Sequence, residues 1–479
     1  MALSVYNSHD KFTYDEEFGF AWDVFTISFK YDQILSPDLF SGLSISYSDI
    51  SNSSFQPSGV DGFVLGNGMN NYKIKEDLHI SRFPSQHINI GFEGNAYFPD
   101  SETLVPFDHT ATTIPYEGQK DRGVEAAVYL NDAVELTSRL TASIGLRYNY
   151  YMQVGPAQVN EYTDGLPTSA AEILSVTAYK SGEKVIAYQG FDPRVALTFM
   201  LDISSSIKMS YNKIHQYIHL VSNTTSAMPI DFWQVSNTYF QPLSSDNFSV
   251  GYYKNFRMNA FETSVEAYYR NMDNIIEYKD FPDLFLNNHL ETELVGGKGR
   301  GYGLELFVKK KSGKFNGWLS YTFSRTFVKV DHYSRQIEIN QGQWFPSKFD
   351  QPHNFSLVGN LNFNKTNQFS FNFTYATGRP LTAPDANYAL NGTIVPNFSN
   401  RNEYRMPDYI RLDVSYTIQR GLLRTARYKD SFTFSVYNLL ARRNAYSIYF
   451  KRERGTNYGA YKLAILGTLL PSITYNFNF

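Results

Sequence analysis

Apolar and polar residues alternate one by one over most of the chain. In residues 139–153, for example, Leu, Ala, Ile and Tyr side chains alternate with Thr, Ser, Gly, Arg and Asn. This period of two is typical of a half-buried β-strand, because successive side chains of a strand point to opposite faces of its sheet. No segment shows a convincing helical period. The alternation predicts seventeen strands, at roughly 20–31, 40–54, 70–82, 87–99, 120–132, 139–153, 190–201, 206–221, 244–256, 260–280, 298–311, 315–330, 351–363, 367–380, 406–419, 430–450 and 470–479.

The segments between these strands are of two kinds. Short turns, at 36–39, 83–86, 136–139, 202–205, 311–314 and 364–367, alternate with long polar loops, at about 100–119, 154–189, 222–243, 281–297, 331–350 and 381–405. Short turns at one end and long loops at the other are typical of an outer-membrane barrel, whose long loops lie outside the cell. We therefore predict an all-β fold, an antiparallel transmembrane β-barrel that forms a single domain over residues 1–479.

The C-terminal segment 471–479 has a sharply divided alternation. Ile473, Tyr475, Phe477 and Phe479 form one apolar face, and Ser, Thr and Asn residues form the other. In a soluble sheet, such an apolar edge favours aggregation. In a barrel the edge is paired and the apolar face contacts lipid. These four residues are therefore predicted to belong to the closing strand of the barrel.

The predicted strand count is odd, whereas single-chain bacterial barrels have an even number of strands. The N-terminal residues 1–7 also contain no basic segment followed by an apolar one, as an export signal would. Truncation at the N-terminus would explain both observations. We therefore expect that a signal and the first strands are missing from this sequence.

Composition narrows the class of protein. Phe, Tyr and Trp make up 16% of the residues, which fits the aromatic girdles of a transmembrane barrel, although an aromatic-rich polysaccharide-binding protein would share this excess. The longest apolar run, 463–470, is far shorter than the about 20 residues that a membrane-spanning helix needs. The formal charge of -3 gives no support to a nucleic-acid partner. Because there is no cysteine, disulfides and thiol chemistry are excluded.

A glycine-rich segment at 297–303 has spacings that occur in nucleotide-binding loops. Such loops lead into a helix, whereas residues 304–308 continue as a strand. We therefore expect the glycines to form a strip on the lumen face of a strand, where the missing side chains let another backbone approach closely. The strip consists of Gly297, Gly299, Gly301 and Gly303.

Catalytic and metal-binding patterns are weak. His215 and His219 would lie about 13 Å apart on a strand, which is too far to share one ion. The sequence contains no Gly-x-Ser-x-Gly motif, and no Ser, His and Asp set can be assembled from it. We therefore predict that the protein is not an enzyme and has no catalytic residue, metal or cofactor.

Aromatic residues also occur in the long loops, among Asn, Ser, Asp and Gly. Polar loops that carry aromatic side chains on a rigid scaffold often bind ligands, although solvated loops with ordinary turn residues would look the same. The candidate ligand-binding residues are Tyr162, Tyr239, Phe240, Trp344, Tyr388 and Phe398.

Several segments in the C-terminal part carry a family resemblance. The segments 349–357 (FDQPHNFSL), 374–382 (TYATGRPLT), 404–414 (YRMPDYIRLDV) and 434–440 (FSVYNLL) resemble strands near the end of TonB-dependent outer-membrane receptors of the Bacteroidota type. The segment 471–479 is similar to their closing strand, whose last aromatic is read by the outer-membrane assembly machinery. The resemblance implies a barrel of twenty-two strands, of which the predicted seventeen would be the last.

This resemblance implies uptake of a scarce solute such as an iron chelate, cobalamin or a glycan. The implied partners are outer-membrane lipid, the assembly machinery, the solute, and the TonB complex, which acts through a plug domain that this sequence lacks. A passive porin or fatty-acid-type channel is one alternative. A secreted β-rich protein that binds polysaccharide is another.

Overall fold

The computed structural model describes residues 1–479 except 15–16, 58, 164, 223–230, 332–336, 391–392, 421–428, 453–457 and 479. Its main feature is an antiparallel sheet of 20 strands, of which two are two-residue strands inside loops. The other eighteen pair each with the next along the chain. They are β1 (Ala2–Tyr14), β2 (Phe18–Ser36), β3 (Leu39–Gln56), β4 (Phe63–Ile80), β5 (Gln86–Pro106), β6 (Gly123–Thr137), β7 (Leu140–Val154), β8 (Lys184–Asp202), β9 (Ser205–Gln216), β10 (Leu243–Phe256), β11 (Phe261–Tyr278), β12 (Leu294–Lys310), β13 (Phe315–Lys329), β14 (His353–Asn362), β15 (Asn367–Ala376), β16 (Tyr409–Arg420), β17 (Lys429–Tyr437) and β18 (Leu470–Asn478).

The first strand, β1, was missed by the sequence prediction. Residues 7–11 form a run of five polar side chains that interrupts the alternation. The strand forms because β2 offers a continuous partner, from Lys30 opposite Ala2 to Phe18 opposite Tyr14. The predicted count of seventeen was therefore wrong by one, and the odd count no longer supports a truncated chain.

Two predicted strands are also shorter than expected. The predicted strand 206–221 ends at Gln216, and the predicted strand 430–450 ends at Tyr437. In both cases the chain continues into a separate hairpin of the next long loop. The paired loop strands are Ala157–Tyr162 with Ile173–Tyr179, Ile218–Val221 with Phe232–Val235, Pro380–Leu381 with Tyr404–Arg405, Pro384–Leu390 with Thr393–Phe398, and Ser447–Arg452 with Tyr458–Leu463.

Three short 3-10 helices and two further short strands complete the described loops. The helices are Ala170–Glu172, Leu290–Thr292 and Asn340–Gly342. The strands are Tyr116–Glu117, which pairs with β5, and Phe345–Pro346, which pairs with β13. Within the described residues, no helix has the length and apolar character required to cross a membrane.

The six predicted short turns join strands of the sheet, and two of them show why they form. In the turn between β8 and β9, the backbone N–H of Ser204 donates to the Asp202 carboxylate (2.7 Å). In the turn between β14 and β15, the N–H of Thr366 donates to Asn364 Oδ1 (2.8 Å). Each side chain replaces a backbone acceptor and fixes a tight reversal.

The outer face of the sheet is apolar. Val250, Val265 and Leu304 are exposed on three neighbouring strands. Nearer the long loops, aromatic residues lie opposite one another across four strands, as in an aromatic girdle. These residues are Tyr211, Phe248, Tyr269 and Tyr302. An exposed apolar face with such a girdle requires lipid as its solvent.

Strand pairing is continuous from β1 to β18. Among the described residues, no ladder joins β18 back to β1. The outer face of β18 is exposed at Ile473, Tyr475 and Phe477. The other long edge, β1, is exposed along almost its whole length.

Candidate functional site

The inner hairpin, which we define as Ile218–Val221 paired with Phe232–Val235, packs on the lumen face of β7. This face is identified by the alternation, since Leu146 on the other face is exposed. The ring of Tyr151 stacks on Tyr217 with 4.8 Å between centroids, and Tyr151 Oη donates to the carbonyl oxygen of Ser236 (2.7 Å). The hairpin also contacts β4 and β5. The loop between β9 and β10 therefore folds into the mouth of the barrel.

A narrow cavity of about 100 Å³ lies between the inner hairpin and the neighbouring loops. Its walls come from the loop ends of β5 and β7, from residues 116–121 and 158–160, from residues 232–240 and from residues 287–291. We call it the narrow cavity. Three of the six predicted loop aromatics meet at this place, since Tyr239 and Phe240 line it and Tyr162 packs against Tyr239.

Glu291 is held in the wall of the narrow cavity by two donors. In the strand Ala157–Tyr162, Asn160 and Tyr162 lie on one buried face while Glu161 points to solvent. Asn160 Nδ2 and Tyr162 Oη each donate to Glu291 Oε1 at 2.7 Å. The period of two in one short strand therefore places both donors on the same carboxylate oxygen.

Glu102 reaches the narrow cavity because β5 contains a bulge. Gly66 lies opposite Thr103 and Gly68 opposite Asp100, so that two residues of β5 lie opposite one residue of β4. A bulge of this kind turns side chains away from the regular alternation. Glu102 is buried, its Oε2 accepts the backbone N–H of Leu286 (2.9 Å), and burial raises the pKa of its carboxyl to about 7.

Asp121 lies in the same wall, just before β6. Its carboxylate accepts hydrogen bonds from Gln153 Nε2 (3.1 Å) and Gln234 Nε2 (2.6 Å). Burial raises the pKa of Asp121 to about 6. Both hydrogen bonds stabilise the carboxylate and so lower the pKa, but burial has the larger effect. Glu102 lies at the loop end of β5, Asp121 just before β6, and Glu291 in the loop between β11 and β12. No sequence pattern singled them out.

A second cavity, of about 1000 Å³, is lined in part by residues 280–282 of the loop that also gives residues 287–291 to the narrow cavity. We call it the wide cavity. Its wall includes Phe398, which meets Phe281 edge to face with centroids 5.8 Å apart. Arg401 is buried there, 4.3 Å above the ring of Tyr278, and donates to Asp280 Oδ1 (2.6 Å). The charge of the arginine is thus already paired within the wall.

The comparisons with known proteins identify the family of this chain. Residues 2–439 match the family model described as TonB dependent receptor-like, beta-barrel. The chain belongs to the TonB-dependent receptor family. It is therefore an outer-membrane protein, and its family consists of transporters and not of enzymes. The Bacteroidota type stays a prediction. No curated protein matches the sequence.

Solved structures share the fold at low sequence identity. The ferric-catecholate import receptor Fiu from E. coli K12 is 13% identical, with a TM-score of 0.59 over 96% of this chain and 65% of its own. The ferric preacinetobactin receptor BauA from Acinetobacter baumannii is 11% identical, with a TM-score of 0.61 over 96% and 64%. The ferric yersiniabactin receptor FyuA from Yersinia pestis is 14% identical, with a TM-score of 0.59 over 96% and 62%. The chain thus spans less than two thirds of the length of these receptors.

The remaining predicted aromatics of the receptor loops lie apart from both cavities. Trp344 stacks on Arg300, with the guanidinium carbon 4.3 Å from the ring centroid. Tyr388 lies in an exposed loop hairpin and is 51% exposed. The structure therefore brings Tyr162, Tyr239 and Phe240 together and leaves these two separate.

The predicted glycine strip of the receptor comprises Gly297, Gly299, Gly301 and Gly303, all in β12. A Cβ at Gly303 would lie 2.5 Å from the carbonyl oxygen of Phe323 and 2.7 Å from the ring of Tyr268. A Cβ at Gly299 would meet Ile275. The missing side chains at these two positions therefore make room for side chains of β11. That the strip lines the lumen and admits another backbone stays a prediction.

The predicted closing strand of the receptor corresponds to β18, which pairs with β17 over its whole length. The ring of Tyr475 packs on Phe432 with 4.7 Å between centroids. Phe479 lies outside the described residues. Recognition of this strand by the assembly machinery stays a prediction.

The two histidines that were considered as a metal pair have separate partners. His215 Nδ1 lies 2.5 Å from the Asp192 carboxylate, and His219 Nε2 lies 3.0 Å from Ser236 Oγ. Burial lowers the pKa of His219 to about 4. Among the described residues of the receptor, no three His, Asp or Glu side chains are grouped so that they could hold a metal ion.

Proposed function

We propose that this chain forms the barrel of a receptor for TonB-energised uptake of a scarce solute, with an iron chelate as the first candidate. The observation that carries the proposal is the pair of cavities between the long loops of a receptor-family barrel. The wide cavity, at about 1000 Å³, is at the upper end of the about 300–1,000 Å³ range of small-molecule sites. Cobalamin and a glycan are the other candidate solutes.

The described ligands of the similar receptors support the choice of an iron chelate. Fiu, BauA and FyuA are described as receptors for ferric catecholates, ferric preacinetobactin and ferric yersiniabactin. The shared fold rests on TM-scores of 0.59–0.61 at a sequence identity of 11–14%. The cavities support the binding of a solute, and the similar receptors support an iron chelate as that solute.

In the proposed mechanism, the long loops capture the solute and the barrel provides the passage. The aromatic walls at Phe281 and Phe398 supply apolar contact, while carboxylates and amides supply directed hydrogen bonds. A plug domain would block the lumen until TonB acts on it. We propose that such a domain belongs to the whole receptor, since this chain covers 62–65% of the matched receptors.

Uptake by cells tests this function. A strain that lacks the whole receptor gene is supplied with one iron chelate at a time under iron limitation, with and without a plasmid copy. Growth that requires both the receptor and an intact TonB system supports the proposal. Uptake that continues after loss of TonB would instead identify a passive channel.

A further inference from the structure

The narrow cavity is unusual in the charge of its lining. Four carboxylic acids line it, and among the described lining residues there is no Lys, Arg or His. The acids are Asp100, Glu102, Asp121 and Glu291. The cavity therefore presents negative charge and hydrogen-bond acceptors to anything that enters it.

The cations around the narrow cavity lie outside its described lining. Lys120 pairs with Glu117 (2.8 Å), and the guanidinium of Arg122 lies over the ring of Phe98. His289 Nδ1 is 3.8 Å from Glu291 but is not part of the lining. The negative charge of the wall is therefore not neutralised from within the lining.

Buried acceptors without a partner point to a ligand that donates hydrogen bonds. Glu102 Oε1 and Gln153 Oε1 have no hydrogen-bond partner among the described residues, and these residues are only 8% and 3% exposed. Ser101 Oγ, in the same wall, has none either. Leaving buried polar atoms unpaired is costly, so native structures usually pair them. Glu102 and Gln153 both line the cavity.

We propose that the narrow cavity receives a positively charged, amine-bearing arm of the transported solute, a deduction that rests on the uptake function proposed above. An ammonium group brings three donors and no acceptor, which complements the unpaired oxygens. The aromatic rings of Tyr116, Trp233 and Tyr239 line the same space and favour a cation over their faces. A volume of about 100 Å³ suits one arm of a solute, while the wide cavity holds the remainder.

The same charges disfavour an anionic chelate. The wide cavity has Asp280 and Glu338 in its lining, and its arginine, Arg401, is paired with Asp280 and with Glu277 (3.7 Å). An anionic tricatecholate complex of iron would therefore meet carboxylates in both cavities, while the arginine of the wide cavity is already paired. The proposed solute, with its positively charged arm, therefore differs in charge from an anionic tricatecholate complex.

Binding of three iron(III) chelates to the folded full chain in detergent tests this proposal. The probes are a linear trihydroxamate with a free ammonium arm, the same chelate with that arm acetylated, and a tricatecholate. Titration calorimetry should show the ammonium form binding at least about tenfold more tightly than either of the other two. In Glu102→Gln and in Glu291→Gln, this preference should fall to less than about threefold.

Glu161→Gln is the matched control, because it removes the same charge from a residue that points to solvent, on the loop strand that carries Asn160 and Tyr162. It should keep the preference of the wild type. Equal binding of the first two probes, tighter binding of the tricatecholate, or no binding of any probe by a correctly folded barrel would overturn the proposal. If the ammonium form bound preferentially but no TonB-dependent uptake occurred, the proposed uptake function would be wrong while the charge preference of the cavity would stand.

Discussion

Single carboxylates in the narrow cavity are predicted to influence stability through their ionisation. The pKa of Glu102 is raised from 4.5 to about 7. The residue lies at the loop end of β5, in the bulge beyond the segment 87–99 that is predicted to span the membrane. A carboxyl that holds its proton more tightly in the folded state contributes stability that is full below pH 4.5 and lost as the pH rises through about 7. Ionisation of Glu102 therefore opposes folding at neutral pH.

Glu102→Gln should consequently stabilise the protein at high pH. At pH 8 the free energy of unfolding should increase by up to about 3 kcal/mol, and at pH 4 it should hardly change. Asp121, whose pKa is raised to about 6, remains and keeps part of the pH dependence. Denaturant unfolding in lipid vesicles, followed by tryptophan fluorescence, measures the effect. The prediction would be wrong if Glu102→Gln and the wild type differed in free energy of unfolding by the same amount at pH 4 and at pH 8.

The affinity for the ammonium probe should depend on the same ionisations. The carboxylates facing the cavity attract an ammonium group only when they are deprotonated, so the affinity should rise with pH. With a pKa of about 7 for Glu102, the rise between pH 6 and pH 8 should be about tenfold, to which Asp121 adds in the same direction. Titrations at both pH values check this. In Glu102→Gln the rise should be smaller.

Among the structural elements, the inner hairpin is anchored to the barrel wall by polar and aromatic contacts of β7 and β8. Tyr151 is fully buried, stacks on Tyr217 and donates to Ser236. Tyr188 Oη donates to the carbonyl oxygen of Asn237 (2.8 Å) from the neighbouring strand. Loss of one of these anchors should lower the free energy at which the hairpin opens locally, relative to the sheet beneath it.

Tyr151→Ala should therefore release the inner hairpin without unfolding the barrel. Loss of the buried ring is expected to cost about 3–5 kcal/mol, and this loss should appear as at least about hundredfold faster amide exchange in Ile218–Val221. Hydrogen exchange followed by mass spectrometry gives this rate. Tyr148→Ala, on the same strand but on the outer face, is the control and should leave exchange in the hairpin unchanged.

Local sequence signals predicted the turns and most strands. Contacts between segments that are distant in sequence were not predicted. Asp202 and Asn364 form their turns with residues two positions away, so the sequence shows them directly. The bond from Leu286 to Glu102 depends on a bulge in one strand and on the path of another loop. No periodic pattern carries that information. The three converging aromatics were recognised as loop residues, but their meeting point was not predictable.

For the whole molecule, the apolar outer face is the feature that requires the membrane. Val250 lies near the middle of β10, is exposed, and pairs with Ala267 and Met209. The adjacent Ser249 lies on the other face, where its hydroxyl is 2.8 Å from that of Ser210. Val250 and Ser249 are adjacent in sequence, but their side chains lie on opposite faces of the sheet.

Val250→Arg should destabilise the barrel in lipid by about 2–4 kcal/mol if this position lies near the bilayer midplane, because the guanidinium must leave water for hydrocarbon. Ser249→Arg should cost much less, since Glu266 and Glu305 lie on strands of the same wall and the lumen admits water. Unfolding in vesicles of both variants compares the two faces directly. Equal losses would mean that the outer face of β10 does not contact lipid. In detergent-free buffer the wild type should aggregate, since its exposed apolar face then has no solvent.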